Sequence, residues 1–186
     1  MMTTPWRFFS VCCAVVLLAG SYPLSVDAVP RSEAADTNKD GKPDEWKIYD
    51  EKDHLIRMEK DRDGDGRAEV AIFFDDTQPK PKPVRSEVDR NGDGKPDLIR
   101  WMKAGQPERE QADLNFDGKA DGWTFYRNGQ KDVMILDKNY DGKPDAWFYY
   151  GMGGTNLIGG KVDENYDGTF DRTWGLLPTE ETRQPW

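Results

Sequence analysis

The chain has 186 residues and a formal net charge of -9, with 33% charged and 36% hydrophobic residues. That length bounds it to one domain plus short extras, and the acid balance excludes the basic face a nucleic-acid partner needs. Low hydrophobicity with high charge is also the composition of disorder, but an aromatic content of 12% opposes that reading and points to a fold whose acids need neutralising.

The N-terminus reads as an export signal. Arg7 supplies a positive start, and Phe8 to Gly20 is an apolar run too short for a comfortable membrane span. Val26-Asp27-Ala28 carries small or tolerated residues before a cut, so cleavage is placed after Ala28. The alternative is a retained N-terminal anchor. Ser21 follows "LLAG" where a bacterial lipoprotein needs Cys, so no lipid attachment is expected. Both cysteines, Cys12 and Cys13, lie in the apolar run, which leaves the mature chain without disulfide or thiol chemistry. The expected organisation is a signal peptide over 1–28, a linker over 29–35, a repeat domain over 36–175 and a tail or cap over 176–186. The mature chain is expected to have no membrane span and to be secreted or periplasmic.

From Asp36 onward one nine-residue pattern, D-x-[N/D]-x-D-G-x-x-[D/E], occurs six times. Self-similarity at a near-constant period marks a repeat architecture. Two positions past the first five patterns, mostly apolar residues alternate: Trp46 and Ile48, Ala71 and Phe73, Ile99 and Trp101, Trp123 and Phe125, Trp147 and Tyr149. Period two predicts a half-buried strand. A turn follows, clearest at Asn128-Gly129, and a second strand returns to the next pattern, as in "LIRMEK" at 55–60 and "DVMIL" at 132–136. One unit differs, with Pro79, Pro81 and Pro83 between its strands, which reads as a protruding extended loop. No long stretch shows helical periodicity. The fold predicted is all-β: tandem hairpin repeats joined by acidic loops in an elongated antiparallel sheet, with a closed propeller-like ring as the alternative.

The acidic loops carry the chemistry. Side chains at positions 1, 3 and 5 converge when the chain curls tightly, Gly at position 6 permits the turn, position 7 offers its carbonyl, and the acid at position 9 closes the cage. The candidate ligands are Asp36, Asn38, Asp40, Lys42 and Asp44 in the first loop; Asp61, Asp63, Asp65, Arg67 and Glu69 in the second; Asp89, Asn91, Asp93, Lys95 and Asp97 in the third; Asp113, Asn115, Asp117, Lys119 and Asp121 in the fourth; Asp137, Asn139, Asp141, Lys143 and Asp145 in the fifth; and Asp163, Asn165, Asp167, Thr169 and Asp171 in the sixth. The Lys, Arg and Thr enter through their backbone carbonyls. All are hard oxygen donors, which suit Ca2+. Two unit charges 4 Å apart repel by about 1 kcal/mol in water and about 4 at an effective dielectric of 20, so carboxylates crowded this way call for a cation.

These loops resemble the calcium loops of EF-hand-like proteins, and more closely those of integrin-type FG-GAP and thrombospondin type 3 repeats. The resemblance covers the six loops and implies ligand roles at positions 1, 3, 5, 7 and 9. It departs at position 12, where EF-hands and dockerins carry an acid and this chain has Lys47, Ile72, Arg100, Thr124, Phe148 and Trp174. The strand-turn part, such as "GWTFYRNGQ" at 122–130, is somewhat similar to MORN-type hairpins.

Enzyme chemistry has little support in the sequence. His54 is the single His and falls in a predicted turn; no His/Cys cluster suits zinc, and no G-x-S-x-G surrounds Ser32 or Ser86. "GMGGTNLIGGK" at 151–161 fails as a phosphate loop because Thr155 and Val162 replace required residues. The expectation is therefore a calcium-binding exported protein of structural or adhesive, non-enzymatic role, with a cell-surface protein or polysaccharide as its partner. Two alternatives stay open: a carbohydrate-binding module using Trp46, Trp123 and Trp147, which otherwise fill gaps between hairpins, and a secreted hydrolase.

Overall fold

The computed structural model describes residues 31–75, 77 and 80–178. Twelve strands follow one another: β1 (Arg31–Ala35), β2 (Glu45–Tyr49), β3 (Leu55–Lys60), β4 (Val70–Phe74), β5 (Pro83–Val88), β6 (Leu98–Lys103), β7 (Gln106–Ala112), β8 (Gly122–Arg127), β9 (Gln130–Leu136), β10 (Ala146–Tyr150), β11 (Leu157–Val162) and β12 (Arg172–Gly175). They form one antiparallel sheet in which spatial order equals chain order. β1 and β12 each have a single neighbour, so the sheet is open and the closed-ring alternative is overturned.

This connectivity sorts the two kinds of turn to opposite ends. Every acidic loop joins an odd strand to the next even one; every short hairpin turn joins an even strand to the next odd one. All six acidic loops therefore share one end of the sheet. Strands lie about 4.8 Å apart, so successive loops repeat about every 10 Å along that end.

The hairpin end is set by local chemistry. Ala104-Gly105 and Asn128-Gly129 both have positive φ at each residue, 53° and 81°, then 52° and 75°. That is the type I′ geometry whose twist matches the flanking strands. Each hairpin also carries a register shift at the same place, for example between Phe125 and Tyr126 and between Trp101 and Met102. A bulge repeated in register adds twist at equivalent points along the sheet.

Cross-strand partners share a face, so the register shows where the apolar residues go. One row runs Trp46, Glu59, Ala71, Glu87, Ile99, Gln111, Trp123, Ile135, Trp147, Lys161. The row beside it runs Ile48, Arg57, Phe73, Arg85, Trp101, Arg109, Phe125, Val133, Tyr149. Apolar residues of even strands thus alternate with charged or polar residues of odd strands until β9. There Val133 and Ile135 replace the polar groups, and the core gathers: Val133, Ile135, Trp147 and Tyr149 buried, with Trp123 and Phe125 packed against them.

Where charge meets ring, cations lie over the aromatics. Arg57 and Arg85 sit 5.1 and 5.3 Å from the Phe73 centroid, Arg109 is 3.9 Å from Trp101, and Lys161 is 4.7 Å from Trp147. Sequence reasoning missed this device, although the recurring Arg-x-Glu/Gln of "RME", "RSE" and "REQ" before the second, third and fourth loops is its signal. On the opposite face Gly160 makes room for Trp174, whose ring lies 2.6 Å from where a Cβ would be.

Three expectations need correction or placing. Residues 31–35, read as linker, form β1 and pair with β2 across all five residues. Pro83, read as lying between the strands, is the first residue of β5 and pairs with Phe74. Proline is tolerated at a strand's first residue. The signal-peptide reading and residues 179–186 of the tail lie outside the described residues; Leu176, Leu177 and Pro178 are exposed and belong to no strand. Among the described residues no helix is long and apolar enough to cross a membrane.

Candidate metal centre

Each acidic loop is built the same way, and the first Asp organises it. One carboxylate oxygen of Asp36, Asp61, Asp89, Asp113, Asp137 or Asp163 accepts the position-4 amide at 2.6–2.7 Å. The other accepts the amide of the position-6 glycine at 2.7–2.9 Å. The position-3 side chain takes the amide of position 5, and the position-5 carboxylate takes that of position 7. These are successive Asx-turns; they curl the chain so that positions 1, 3 and 5 face inward.

The curl requires positive φ at two places. Position 6 is Gly throughout, as at Gly142 (φ 89°), where a Cβ would have nothing within 4 Å. Gly142→Ala is therefore expected to cost about 1–2 kcal/mol through backbone strain alone. Gly160→Ala is expected to cost more, because its Cβ would meet the Trp174 ring and the Trp147 carbonyl. Denaturant unfolding midpoints compare the two. Position 4 also has positive φ and is filled by Lys39, Phe116, Tyr140 and Tyr166 in four loops, by glycine in the other two.

Position 9 does more than close a cage. Its carboxylate accepts the position-2 amide at 2.6–3.0 Å in all six loops. Its backbone carbonyl accepts the amide of the next loop's first Asp: Asp61 to Asp44, Asp89 to Glu69, Asp113 to Asp97, Asp137 to Asp121 and Asp163 to Asp145, at 2.7–3.0 Å. The loops are thus linked edge to edge by main-chain bonds. Spacing alone did not reveal this, because it depends on the strand register.

Burial divides the ligands. Asp61, Asp113, Asp137 and Asp163 at position 1, and Asp44, Asp97, Asp121 and Asp145 at position 9, are buried; Asp137 is only 1% exposed. The position-5 carboxylates are exposed at the loop tips, as are Asn38, Asp63, Asn91 and Asn165 at position 3. Local amides tune the acids. Burial pushes the Asp61 carboxyl up, but the amides of Gly64 and Gly66 outweigh it and hold it below the usual range. The Thr37 amide, then its hydroxyl, hold Asp44 low. Asp121 goes the other way: burial raises it, the amides of Leu114 and Asn115 oppose, and the charges of Asp113 and Asp117 add to the rise.

The second loop is the most acidic at its centre. Asp61, Asp63, Asp65 and Glu69 each offer a carboxylate oxygen, and these oxygens all lie within 4.8 Å of one another. Among the described residues this is the one carboxylate group drawn so close. Elsewhere Asn stands at position 3, and Asn38, Asn139 and Asn165 turn their amides to the position-5 carboxylate at 3.2–3.3 Å. The geometry fits a metal. Oxygens no more than 4.8 Å apart can all reach one ion, since metal–oxygen bonds run about 2.0–2.6 Å for the hard divalent cations. The donor set is wholly oxygen, which disfavours zinc or copper.

No protein-family model matches the chain, and no curated protein does. Among solved structures, one match is a mutant form of S. aureus TarM crystallised in complex with Fondaparinux, alpha-GlcNAc-glycerol and UDP. It is 9% identical with a TM-score of 0.33, covering 68% of this chain and 21% of that one. At that score and identity the likeness carries no argument about fold or function. What is shown is an open sheet of hairpin repeats with its acidic loops aligned along one end, and in one of them an acidic group able to hold a metal ion.

Proposed function

We propose that this chain is an exported calcium-binding protein with a structural or adhesive, non-enzymatic role, in which Ca2+ occupies the acidic loops and stabilises the repeat sheet. The observation that carries the reading is the convergence of Asp61, Asp63, Asp65 and Glu69 within 4.8 Å. It sits on an edge where the six loops hold more than half of the chain's 35 acidic residues. The loop's own turns hold these carboxylates close, so a divalent ion among them offsets their repulsion and stabilises the folded state.

The second loop is the tightest site, since it alone supplies four carboxylates. The other five offer three carboxylates and an Asn, and waters complete their shells. No loop has an acid at position 12, so affinities near those of extracellular modules follow, on the order of 10⁻⁴–10⁻³ M.

Calorimetric titration with CaCl2 is expected to show binding at several sites per chain, with the tightest component weakened at least tenfold in Asp65→Asn. Asp65 is exposed, and Asn keeps the oxygen that accepts the Arg67 amide, so the loop should still form. A flat titration at millimolar calcium would remove the basis of the reading.

A further inference from the structure

We propose that copies of this chain join head to tail through their sheet edges, β12 of one copy pairing with β1 of the next, so that the repeat continues from molecule to molecule. The inference is independent of metal occupancy; it rests on strand register and on what the two edges leave unpaired.

Twelve strands in a strict meander make β12 antiparallel to β1, so a second copy can add at β12 with the polarity used at every step inside the chain. The register of such a step is set inside the chain. An even strand meets the next odd strand with position 11 opposite the residue two before the next loop: Trp46 with Glu59, Ala71 with Glu87, Ile99 with Gln111, Trp123 with Ile135, Trp147 with Lys161. Applied across copies, Thr173 faces Ala34, Arg172 faces Ala35 and Trp174 faces Glu33.

Main-chain groups complete the same rule. Each step is closed by the amide of a loop's first Asp bonding to the carbonyl of the preceding loop's last acid. Among the described residues this series runs out at two points, the Asp36 amide at one edge and the Asp171 carbonyl at the other. Donor and acceptor of the missing bond sit on opposite edges of one molecule. In an antiparallel ladder, backbone groups of alternate residues point to opposite sides. The Ala35 carbonyl is used on the β2 side, so Ser32 and Ala34 present their groups outward, as do Thr173 and Gly175 on β12.

Side chains agree. In this register Arg172 lies diagonal to Glu33, and Trp174 lies diagonal to Arg31, within reach of an ion pair and a cation–ring contact. Stacking of this kind already occurs within the chain, where Arg31 lies 4.0 Å from the Tyr49 centroid and Arg172 5.3 Å from Trp174. Such a contact joins two different edges, so it is heterologous and does not close after two copies; the product is an open string. All five residues of β1 are exposed, and among the described residues no strand other than β2 pairs with it.

The test uses the full chain with Cys12→Ser and Cys13→Ser, then Ala35→Cys and Arg172→Cys together. The two new cysteines stand at opposite edges of one sheet, about 50 Å apart, so a disulfide between them must join two molecules. Mild oxidation read on a denaturing gel is expected to give a ladder of disulfide-linked dimer, trimer and higher species, while each single-cysteine chain gives no such ladder. Adding Ala34→Pro, which removes an outward amide without touching the β1–β2 ladder, is expected to cut the ladder at least tenfold with an unchanged melting curve. Monomer alone from the double variant, or equal dimer from either single variant, would overturn the proposal. Sedimentation of the unsubstituted protein gives the independent check: its mass should rise with concentration, and a constant monomer mass would count against it.

Discussion

Chelating divalent ions is expected to lower the melting temperature of this protein by about 20 °C. If each loop binds with Kd ~10⁻⁴ M at ~10⁻³ M free Ca2+, mass action supplies about 1.4 kcal/mol per site. Six sites, added one by one, then supply roughly 8 kcal/mol, comparable to the whole stability of an ordinary domain. For a domain of this size each kcal/mol corresponds to about 2–4 °C. The dependence should be steep because the loops are not separate. The first Asp of each loop both organises its own turn and, from the second loop on, donates its amide to the preceding loop. Losing the ion from one loop therefore loosens a main-chain bond to its neighbour. Scanning calorimetry with and without excess chelator reads the effect directly, and superimposable curves would mean that the acids are balanced by amides alone.

Trp147→Ala should be the most damaging single substitution in the sheet, costing about 3–5 kcal/mol. Trp147 is buried at the centre of the core cluster, beside Ile135, Tyr149 and Val133. Phe170 meets it edge-on at 5.1 Å, and Lys161 lies over its ring. Phe170 belongs to the sixth loop, so the substitution also removes a support from that loop. The equivalent change at Trp46 is expected to cost less than half as much. Trp46 stands between Ala34 and Glu59 rather than between apolar neighbours, and is only half-buried. Denaturant unfolding of the two variants makes the comparison. Equal losses would show that stability is spread evenly along the repeats instead of concentrated over β8, β9 and β10.

The same comparison bears on the tryptophans as a sugar platform. Trp101 and Trp147 have cations against their rings, and Trp147 is enclosed by neighbours. Of the three candidate rings, Trp46, Trp123 and Trp147, only Trp147 is so enclosed, which favours the structural role over stacking on a saccharide at that position.

Much of this protein was legible in the sequence because its information is local and repeated. A nine-residue turn signature fixes its own backbone through side chains that bond to amides two to five residues away, and period-two apolar residues beside it dictate a strand. Repetition multiplies both signals, so the all-β class, the hairpin units and the positions of the six loops follow from the residues alone. Asp137, for instance, is recognisable as a loop organiser from its neighbours Asn139, Asp141 and Gly142. What only the tertiary structure decided is everything that depends on register between strands. That includes the open edges, the strand made by Arg31–Ala35, the bond from each loop to the next, and the cations laid over Phe73 and Trp101. The contrast between loops is local instead: Asp63 at position 3 lets Asp61, Asp63, Asp65 and Glu69 form one carboxylate group, while Asn139 at the same position of the fifth loop turns its amide to the carboxylate beside it. Register is set by the sum of weak cross-strand contacts over the whole sheet, and no stretch of nine residues contains that sum.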